Sequence, residues 1–406
     1  MFYVSFFVAA LSAAAIFGVL SGLTVSATTY EPNEIAEPQA TSTPSVEHIE
    51  TPEPLKAIYM SQCAASDVNG LRKSVIAIAD ETEINAIVID LKDYTGTVAF
   101  PSETAEKGGK GCTVANFRDF VKELHDRDIY VIGRLTVFQD PLYTKAHPEE
   151  AVKQADGETV WKDRKGLSFV DVASKPFWGY IVTLAKEAYV LGVDEVNFDY
   201  VRYPSDGDMQ NIAFTHTRSD HADELERFFR HLAQLLGEDG PVRSADLFGM
   251  TTTNEDDLNI GQVLERALPY FDYIAPMVYP SHYPSGFHGY ENVNEHAYDI
   301  VHYSMKTAAG RAMASTTTVG GFTQANIGTT SYSYRGKTIE ISLYKKPVHD
   351  KLKLRPWLQD FDYPVEYTPA MVADQIRANE DAGLTSWMFW DPANRYSSLR
   401  QALKKE

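Results

Sequence analysis

Short apolar runs rich in β-branched residues alternate with longer amphipathic stretches along most of the chain. Such runs predict β-strands, and several, such as INAIVID at 84–90 and IYVIGRLTV at 129–137, are apolar on both faces, which is typical of parallel strands covered by helices. The predicted strands are Leu55–Gln62, Ile84–Asp90, Ile129–Val137, Glu195–Tyr203, Ser244–Thr251, Tyr273–Tyr279, Leu354–Asp360 and Thr385–Trp390.

Apolar residues at helical spacing lie between these strands. The stretches predicted to contain helices are 68–78, 114–124 after a cap at Thr113, Phe177–Leu191, 225–236, Leu258–Leu268, Asn292–Thr307 and Pro369–Ala382. Strand and helix therefore alternate through eight units, which predicts an α/β fold, a (β/α)₈ TIM barrel with insertions. An open doubly wound sheet is the alternative, although no strand is followed directly by a GxGxxG turn.

Two stretches are too long to be simple connections. Residues 139–175 follow the third strand, so in a barrel they lie on the C-terminal, active-site face, and their pattern predicts a small hairpin around Trp161. Residues 310–353 precede the seventh strand. We therefore expect them on the opposite face and assign them no catalytic part.

The N-terminal segment indicates the compartment. Residues 2–25 are an uncharged apolar run, whose length favours an uncleaved membrane anchor over a signal peptide, although Val25-Ser26-Ala27 resembles a cleavage site. Residues 28–53 are rich in Pro, Glu and Thr and predict a disordered linker. The expected organisation is an anchor or signal at 1–27, this linker, and a barrel at 54–406, located at the extracellular face of the membrane or secreted.

Composition narrows the classes of function. The 37 basic and 56 acidic residues give a net charge of −19, which disfavours a nucleic-acid partner. The only cysteines, Cys63 and Cys112, cannot form a disulfide scaffold or a four-thiolate zinc site, but both fall near the C-terminal rim, where an exported protein could bridge them. No metal or organic cofactor is called for.

Catalytic groups of barrels stand at the C-terminal ends of the strands, where this sequence has carboxylates, amides and aromatic rings. Glycoside cleavage requires a pair of carboxylates, and aromatic rings stack on sugars, whereas no GxSxG, HExxH or CxxC motif is present. The candidates for substrate binding are Asp90, Asp93, Arg134, Asn197, Arg202, Tyr203, Tyr279, Trp357, Gln359 and Trp390. The carboxylates at the ends of strands four, five and seven include Asp199, Asp246 and Asp360.

The segments AIVIDLKD, VDEVNFDYVRYP, SADLFG, FDYIAPMVYPSHY, RPWLQDF and WMFWDP resemble the bacterial putative glycosyl hydrolase domain of unknown function, a family related to α-amylase-like (β/α)₈ glycosidases. The resemblance covers residues 54–395 and implies a barrel glycosidase. Carried over by strand, it implies Asp199 as the nucleophile at strand four, Asp246 as the acid/base at strand five, with Glu255 as its substitute, and Asp360 at strand seven.

Each candidate also has a structural interpretation. Asp199 could be a core carboxylate paired with Arg134 or Arg202, and we expect Arg202 to hold it ionised. Asp90 and Asp93 fit substrate binding, or orientation of Lys92, better than chemistry.

The rings of Tyr279, Trp357 and Trp390 could equally pack in the core or stack on a sugar. His282 and His288 are expected in surface or loop positions. Two functions follow: a glycoside hydrolase acting on an extracellular or cell-envelope polysaccharide, or a barrel that binds glycan without cleaving it.

Overall fold

The computed structural model describes residues 47–403. Eight parallel strands close into a barrel in the order β1-β2-β3-β4-β5-β6-β10-β11, and a separate antiparallel sheet contains β7, β8 and β9. The strands are β1 (Lys56–Met60), β2 (Ala86–Lys92), β3 (Tyr130–Thr136), β4 (Glu195–Asp199), β5 (Val242–Phe248), β6 (Tyr273–Met277), β7 (Thr316–Thr317), β8 (Ala325–Tyr334), β9 (Lys337–Lys345), β10 (Trp357–Gln359) and β11 (Trp387–Trp390). The predicted TIM barrel is confirmed, and each predicted strand overlaps a barrel strand.

Helices follow most of the barrel strands and cover the outside of the sheet. They are α1 (Gln62–Ser66), α2 (Leu71–Glu81), α3 (Phe117–His125), α4 (Pro141–Ala146), α5 (Lys175–Val190), α6 (His221–Leu236), α7 (Leu264–Ala267), α8 (Ala297–Met313), α9 (Pro369–Asp381) and α10 (Ser397–Ala402). The predicted helix at Leu258–Leu268 is mostly wrong, because Leu258 and Asn259 adopt positive φ angles of 53° and 56° that no α-helix contains. The predicted cap at Thr113 is also wrong, since α3 begins after Asn116.

Side chains alternate between two packed layers along each strand. In β1, Ala57 and Tyr59 belong to a cluster inside the barrel, whereas Ile58 and Met60 belong to the larger cluster between sheet and helices. This alternation decides which polar side chains can reach the interior at the C-terminal ends.

The two long insertions pack against the barrel. Residues 139–175 contain α4 and antiparallel bridges at Lys153–Val160 and Lys162–Ser168, so the predicted hairpin around Trp161 is confirmed. In the second insertion, Thr318 donates a hydrogen bond to Glu255 in the loop after β5. Part of this insertion therefore lies beside a loop from the C-terminal face, contrary to its expected position on the opposite face.

The end of the predicted linker contacts the N-terminal ends of the strands. The Ile49 N–H donates to Asp194 Oδ1 at 3.0 Å, and Thr51 Oγ1 is 3.0 Å from the Tyr130 hydroxyl. The His48 ring stacks on Tyr189 with centroids 4.0 Å apart. Residues 47–53 therefore form part of the folded structure, while the predicted anchor and the rest of the linker lie outside the described residues.

Cys63 and Cys112 form the disulfide considered from the sequence, with Cα atoms 4.9 Å apart. It joins the first residues of α1 to the loop between β2 and α3. Among residues 47–403, no helix has the length and apolar character needed to cross a membrane.

Candidate active site

Four inward-facing charged residues meet at the C-terminal ends of neighbouring strands: Asp90 on β2, Arg134 on β3, Asp199 on β4 and Asp246 on β5. The strand register brings them together, because Asp90 pairs with Arg134 and Arg134 pairs with Asn197, two residues before Asp199. All four of the charged side chains are at least nine-tenths buried. These four side chains therefore lie at one rim of the barrel, as the sequence predicted.

Arg134 holds this cluster together. Its Nε lies 3.0 Å from Asp199 Oδ2, to which Nη2 also donates, and its Nη1 lies 2.5 Å from Asp90 Oδ1. The same Nε is 3.8 Å from Asp246 Oδ2. Of the two arginines considered from the sequence, Arg134 is therefore the one that pairs directly with Asp199, and Arg202 is not.

Asp246 is positioned by two neutral donors. Asn197 Nδ2 and Trp357 Nε1 both donate to its Oδ1, at 2.8 and 2.7 Å. Burial, followed by the nearby charge of Asp199, raises the pKa of Asp246 well above its ordinary value. Because both donors bond Oδ1, the proton of the neutral acid belongs on Oδ2.

Asp90 stands behind Arg134 and is bonded to a tyrosine that sequence reasoning did not single out. Tyr59 donates to Asp90 Oδ2 at 2.5 Å, and its ring stacks on Trp390 with centroids 3.8 Å apart. Trp390 in turn lies 5.0 Å from the Arg134 guanidinium. Burial raises the pKa of Asp90, although Arg134 opposes this rise.

Asp199 and Asp246 open onto one cavity of about 420 Å³, a volume within the usual range for ligand pockets. It combines charged groups at its base with aromatic and thioether walls. The lining residues are Arg134, Asp199, Tyr200, Arg202, Asp246, Phe248, Gly249, Met250, Met277, Tyr279, His282, Tyr283 and Trp390.

Asp360 lies outside this cavity. Trp357 and Gln359 face inward on β10, so the following residue points to the other side of the sheet. Its Oδ1 accepts a hydrogen bond from the Leu399 N–H at 3.1 Å. Burial and the neighbouring Asp391 raise the pKa of Asp360 to about 8. This position gives no support to the predicted catalytic role.

Three further candidates for substrate binding have structural partners instead. Asp93 accepts two hydrogen bonds from Thr95 within a turn, at 3.0 and 2.6 Å. The Tyr203 hydroxyl is 2.9 Å from Thr217 Oγ1, and Gln359 bonds Ser281. None of the three lines the cavity.

Lys92 and Glu255 have contacts that place both side chains away from the cavity. Lys92 pairs with Asp140 at 2.9 Å, so neither Asp90 nor Asp93 orients it. Glu255, the proposed substitute for Asp246, is exposed and accepts a hydrogen bond from Thr318.

The remaining candidates for substrate binding divide between the cavity and the residues behind it. Asn197 and Trp357 act behind the cavity wall by holding Asp246. Tyr279 and Trp390 line the cavity as predicted.

Several lining residues were missed because they lie beyond the strand ends. Tyr200 follows Asp199 with a positive φ of 51°, which turns the chain away from the strand direction. His282, assigned from sequence to a surface or loop position, lines the cavity, and burial lowers its pKa. The local signal was present as the aromatic and histidine residues that follow β6 in YPSHY.

Within the described part of the chain, no group of three or more His, Cys, Asp and Glu side chains is arranged to hold a metal ion. The cavity therefore offers carboxylates, guanidinium groups and rings as its reactive and binding groups.

The chain matches the family described as "Putative glycosyl hydrolase domain" over residues 57–340 and 326–396. These two matches together cover most of the chain. The protein belongs to this family. Membership confirms the resemblance inferred from the strand motifs and gives glycoside hydrolysis as the class of activity. No curated protein sequence matches the chain.

One solved structure supports the barrel fold, and two others show weaker similarity. The glycoside hydrolase domain of PgaB from Bordetella bronchiseptica is 10% identical, with a TM-score of 0.55 over 87% of this chain and 99% of that domain. A hypothetical protein from Ruminiclostridium thermocellum is 33% identical over 47% of this chain and 96% of its own, with a TM-score of 0.41. An α-galactosidase from Thermus thermophilus is 10% identical, with a TM-score of 0.47 over 89% and 64% of the two chains.

Proposed function

We propose that this family member is a retaining glycoside hydrolase that cleaves O-glycosidic bonds of a polysaccharide outside the cell or at the cell envelope. The observation that supports this most strongly is the pairing of Asp199 and Asp246 in one cavity around Arg134. A carboxylate held by a guanidinium and a carboxylic acid kept protonated by burial are the two groups that glycosidic cleavage requires.

Asp199 is assigned the role of nucleophile. Arg134 donates to its Oδ2, and the Tyr200 N–H donates to its Oδ1 at 2.5 Å, so both oxygens are oriented. In the first step one Asp199 oxygen forms a bond to the anomeric carbon while the bond from that carbon to the leaving oxygen breaks. The product is a glycosyl ester of Asp199.

Asp246 is assigned the role of general acid and then base. Its raised pKa keeps a proton available at neutral pH, and this proton passes from Oδ2 to the leaving oxygen as the glycosidic bond breaks. The resulting carboxylate then takes a proton from water, whose oxygen attacks the anomeric carbon and releases Asp199. Asn197 and Trp357 remain bonded to Oδ1 through both steps.

The two carboxylates are close enough for the retaining mechanism. Arg134 Nε is 3.0 Å from Asp199 Oδ2 and 3.8 Å from Asp246 Oδ2, so these oxygens are at most about 6.8 Å apart, the sum of the two distances. Retaining enzymes place their carboxyl groups about 5–5.5 Å apart, and inverting enzymes about 6.5–9.5 Å apart. The spacing of about 5–5.5 Å that a retaining mechanism needs therefore lies within this bound.

The disulfide supports an extracytoplasmic location, because disulfides persist in oxidising compartments. We propose that the apolar run at 2–25 directs export and serves as an anchor or a signal peptide. Labelling of intact cells with an impermeant reagent, followed by fractionation of membrane and medium, tests this location.

The catalytic roles are tested with Asp199→Asn and Asp246→Asn on a panel of bacterial and plant polysaccharides, with new reducing ends as the readout. We expect each variant to lose at least about a hundredfold in rate while its melting temperature and glycan affinity remain close to wild type. Asp93→Asn is the matched control because that aspartate lies outside the cavity. Undiminished release by Asp199→Asn would reject its role.

Three further measurements test the mechanism and the function. An NMR spectrum of the first product is expected to show the anomeric configuration of the substrate, and inversion would contradict the retaining mechanism. Wild-type activity should fall as pH rises through the elevated pKa of Asp246. Binding without new reducing ends across the whole panel would favour a non-catalytic glycan-binding barrel instead.

A further inference from the structure

Arg202 places a positive charge at the cavity that forms no direct ion pair, although the charges of Asp199 and Asp206 act on it from a greater distance. Only 9% of its surface is exposed, and no carboxylate oxygen within residues 47–403 lies within 4.0 Å of its guanidinium. Burial lowers the pKa of Arg202, but arginine stays protonated in proteins. An unpaired charge at this depth carries a desolvation cost that a ligand of opposite charge would offset.

The contacts of Arg202 leave part of its guanidinium free for a ligand. Nη1 donates to the Tyr203 carbonyl and Ser205 Oγ, at 3.0 and 3.1 Å. The Tyr200 phenol stands beside the guanidinium but is neutral, and the rings of Tyr200 and Phe248 flank it at 4.8 and 4.9 Å. These contacts fix the orientation of the group without neutralising its charge.

The second arginine of the cavity has the opposite arrangement. Arg134 is bonded to both Asp199 and Asp90, so its charge is already balanced within the protein. His282 is the other basic residue of the lining, and burial lowers its pKa, which keeps it neutral at pH 7. Arg202 is therefore the one lining cation, within the described residues, that is available to an incoming anion.

We propose that Arg202 selects a glycan that carries an anionic group, a carboxylate or another oxyanion, on the sugar bound in this cavity. Guanidinium groups recognise such oxyanions through charge-assisted, often bidentate, hydrogen bonds. The inference rests on the proposed function in taking the ligand to be a glycan, but it does not depend on cleavage.

The test compares each anionic polymer with its neutral counterpart. Polygalacturonate, alginate and glucuronoxylan are used with and without chemical reduction of their carboxylates, and sulfated and phosphorylated glycans with and without removal of the substituent. Affinity is measured calorimetrically on Asp199→Asn, and cleavage on the wild type. We expect one anionic class to bind at least about tenfold more tightly than its neutral form, and Arg202→Gln to abolish that difference.

Controls separate recognition from folding. Arg202→Lys keeps the charge and should retain part of the preference, while Arg377→Gln, on α9 and outside the cavity, should change nothing. The inference is overturned if no anionic glycan binds better than its neutral form, or if Arg202→Gln weakens both forms equally. Arg202-dependent binding without cleavage would reject the proposed hydrolysis alone, whereas cleavage without any anionic preference would reject this inference alone.

Discussion

The elevated pKa of Asp360 leads to a prediction about stability that tests whether this residue has a structural or a catalytic role. The side chain is 8% exposed and its pKa is raised to about 8 by burial and by Asp391. Its Oδ2 has no hydrogen-bond partner, whereas Oδ1 accepts one from the Leu399 N–H. Asp360→Asn preserves that acceptor and removes the titration, so it isolates the cost of the ionisable group.

The size and direction of the effect follow from proton linkage. Between the ordinary pKa of 3.8 and the folded value of about 8, the unfolded chain has lost the Asp360 proton while the folded protein keeps it. Unfolding therefore releases a proton in this window, and rising pH favours the unfolded state. At about 1.4 kcal/mol per pH unit, the free energy of unfolding of the wild type falls by about 4 kcal/mol between pH 4.5 and 7.5. That of Asp360→Asn does not show this fall.

The assay is urea unfolding of wild type and Asp360→Asn at several pH values from 4.5 to 9. We expect the free energy of unfolding of the variant, relative to that of the wild type, to rise up to about pH 8 and then to stay constant. Asp256→Asn, at an exposed loop position, is the matched control. A free-energy difference that stays constant with pH would refute the reasoning. A variant with wild-type stability but no activity would instead restore the catalytic role predicted from the sequence.

Two other contacts lead to stability predictions. Replacing both Cys63 and Cys112 with Ser should lower the free energy of unfolding by about 4 kcal/mol, because the bridge closes a separation of 49 residues; equal urea midpoints for oxidised and reduced wild type would contradict this. Ile49→Ala should cost about 1 kcal/mol, because Ile49 packs against the cluster inside the barrel. Unchanged unfolding of that variant would show that the Ile49 side chain contributes nothing to stability, and Glu50→Ala, at an exposed position, is its control.

The barrel was predictable because strand and helix periods are local properties of the chain. The errors arose where the backbone departs from those periods. Apolar spacing at 258–268 predicted a long helix, but the left-handed conformations of Leu258 and Asn259 restrict α7 to Leu264–Ala267. Similarly, the Val114 N–H donates to the Ala99 carbonyl, which keeps Val114 out of a helix, and α3 begins only at Phe117.

The sequence predicted which residues form the site better than it predicted their contacts. Positions at the strand ends and the family resemblance indicated Asp199 and Asp246, and both line the cavity. The alternation of side chains along a strand states that Gln359 and Asp360 point to opposite sides of β10, yet it does not state which one faces inward. That choice depends on Trp357, whose bond to Asp246 fixes the inward side of the strand.

The different tasks of the two arginines follow from where β4 ends. Arg134 precedes the end of β3 by two residues, and the register places it beside Asn197, so its guanidinium extends toward Asp199 on the neighbouring strand. Arg202 lies three residues past the end of β4, beyond the positive-φ turn at Tyr200. Of the two arginines that the sequence offered as partners of Asp199, the register therefore selects Arg134. Because Arg134 is the direct partner, Arg202 forms no ion pair among the described residues, and the proposed recognition of an anionic sugar depends on this difference.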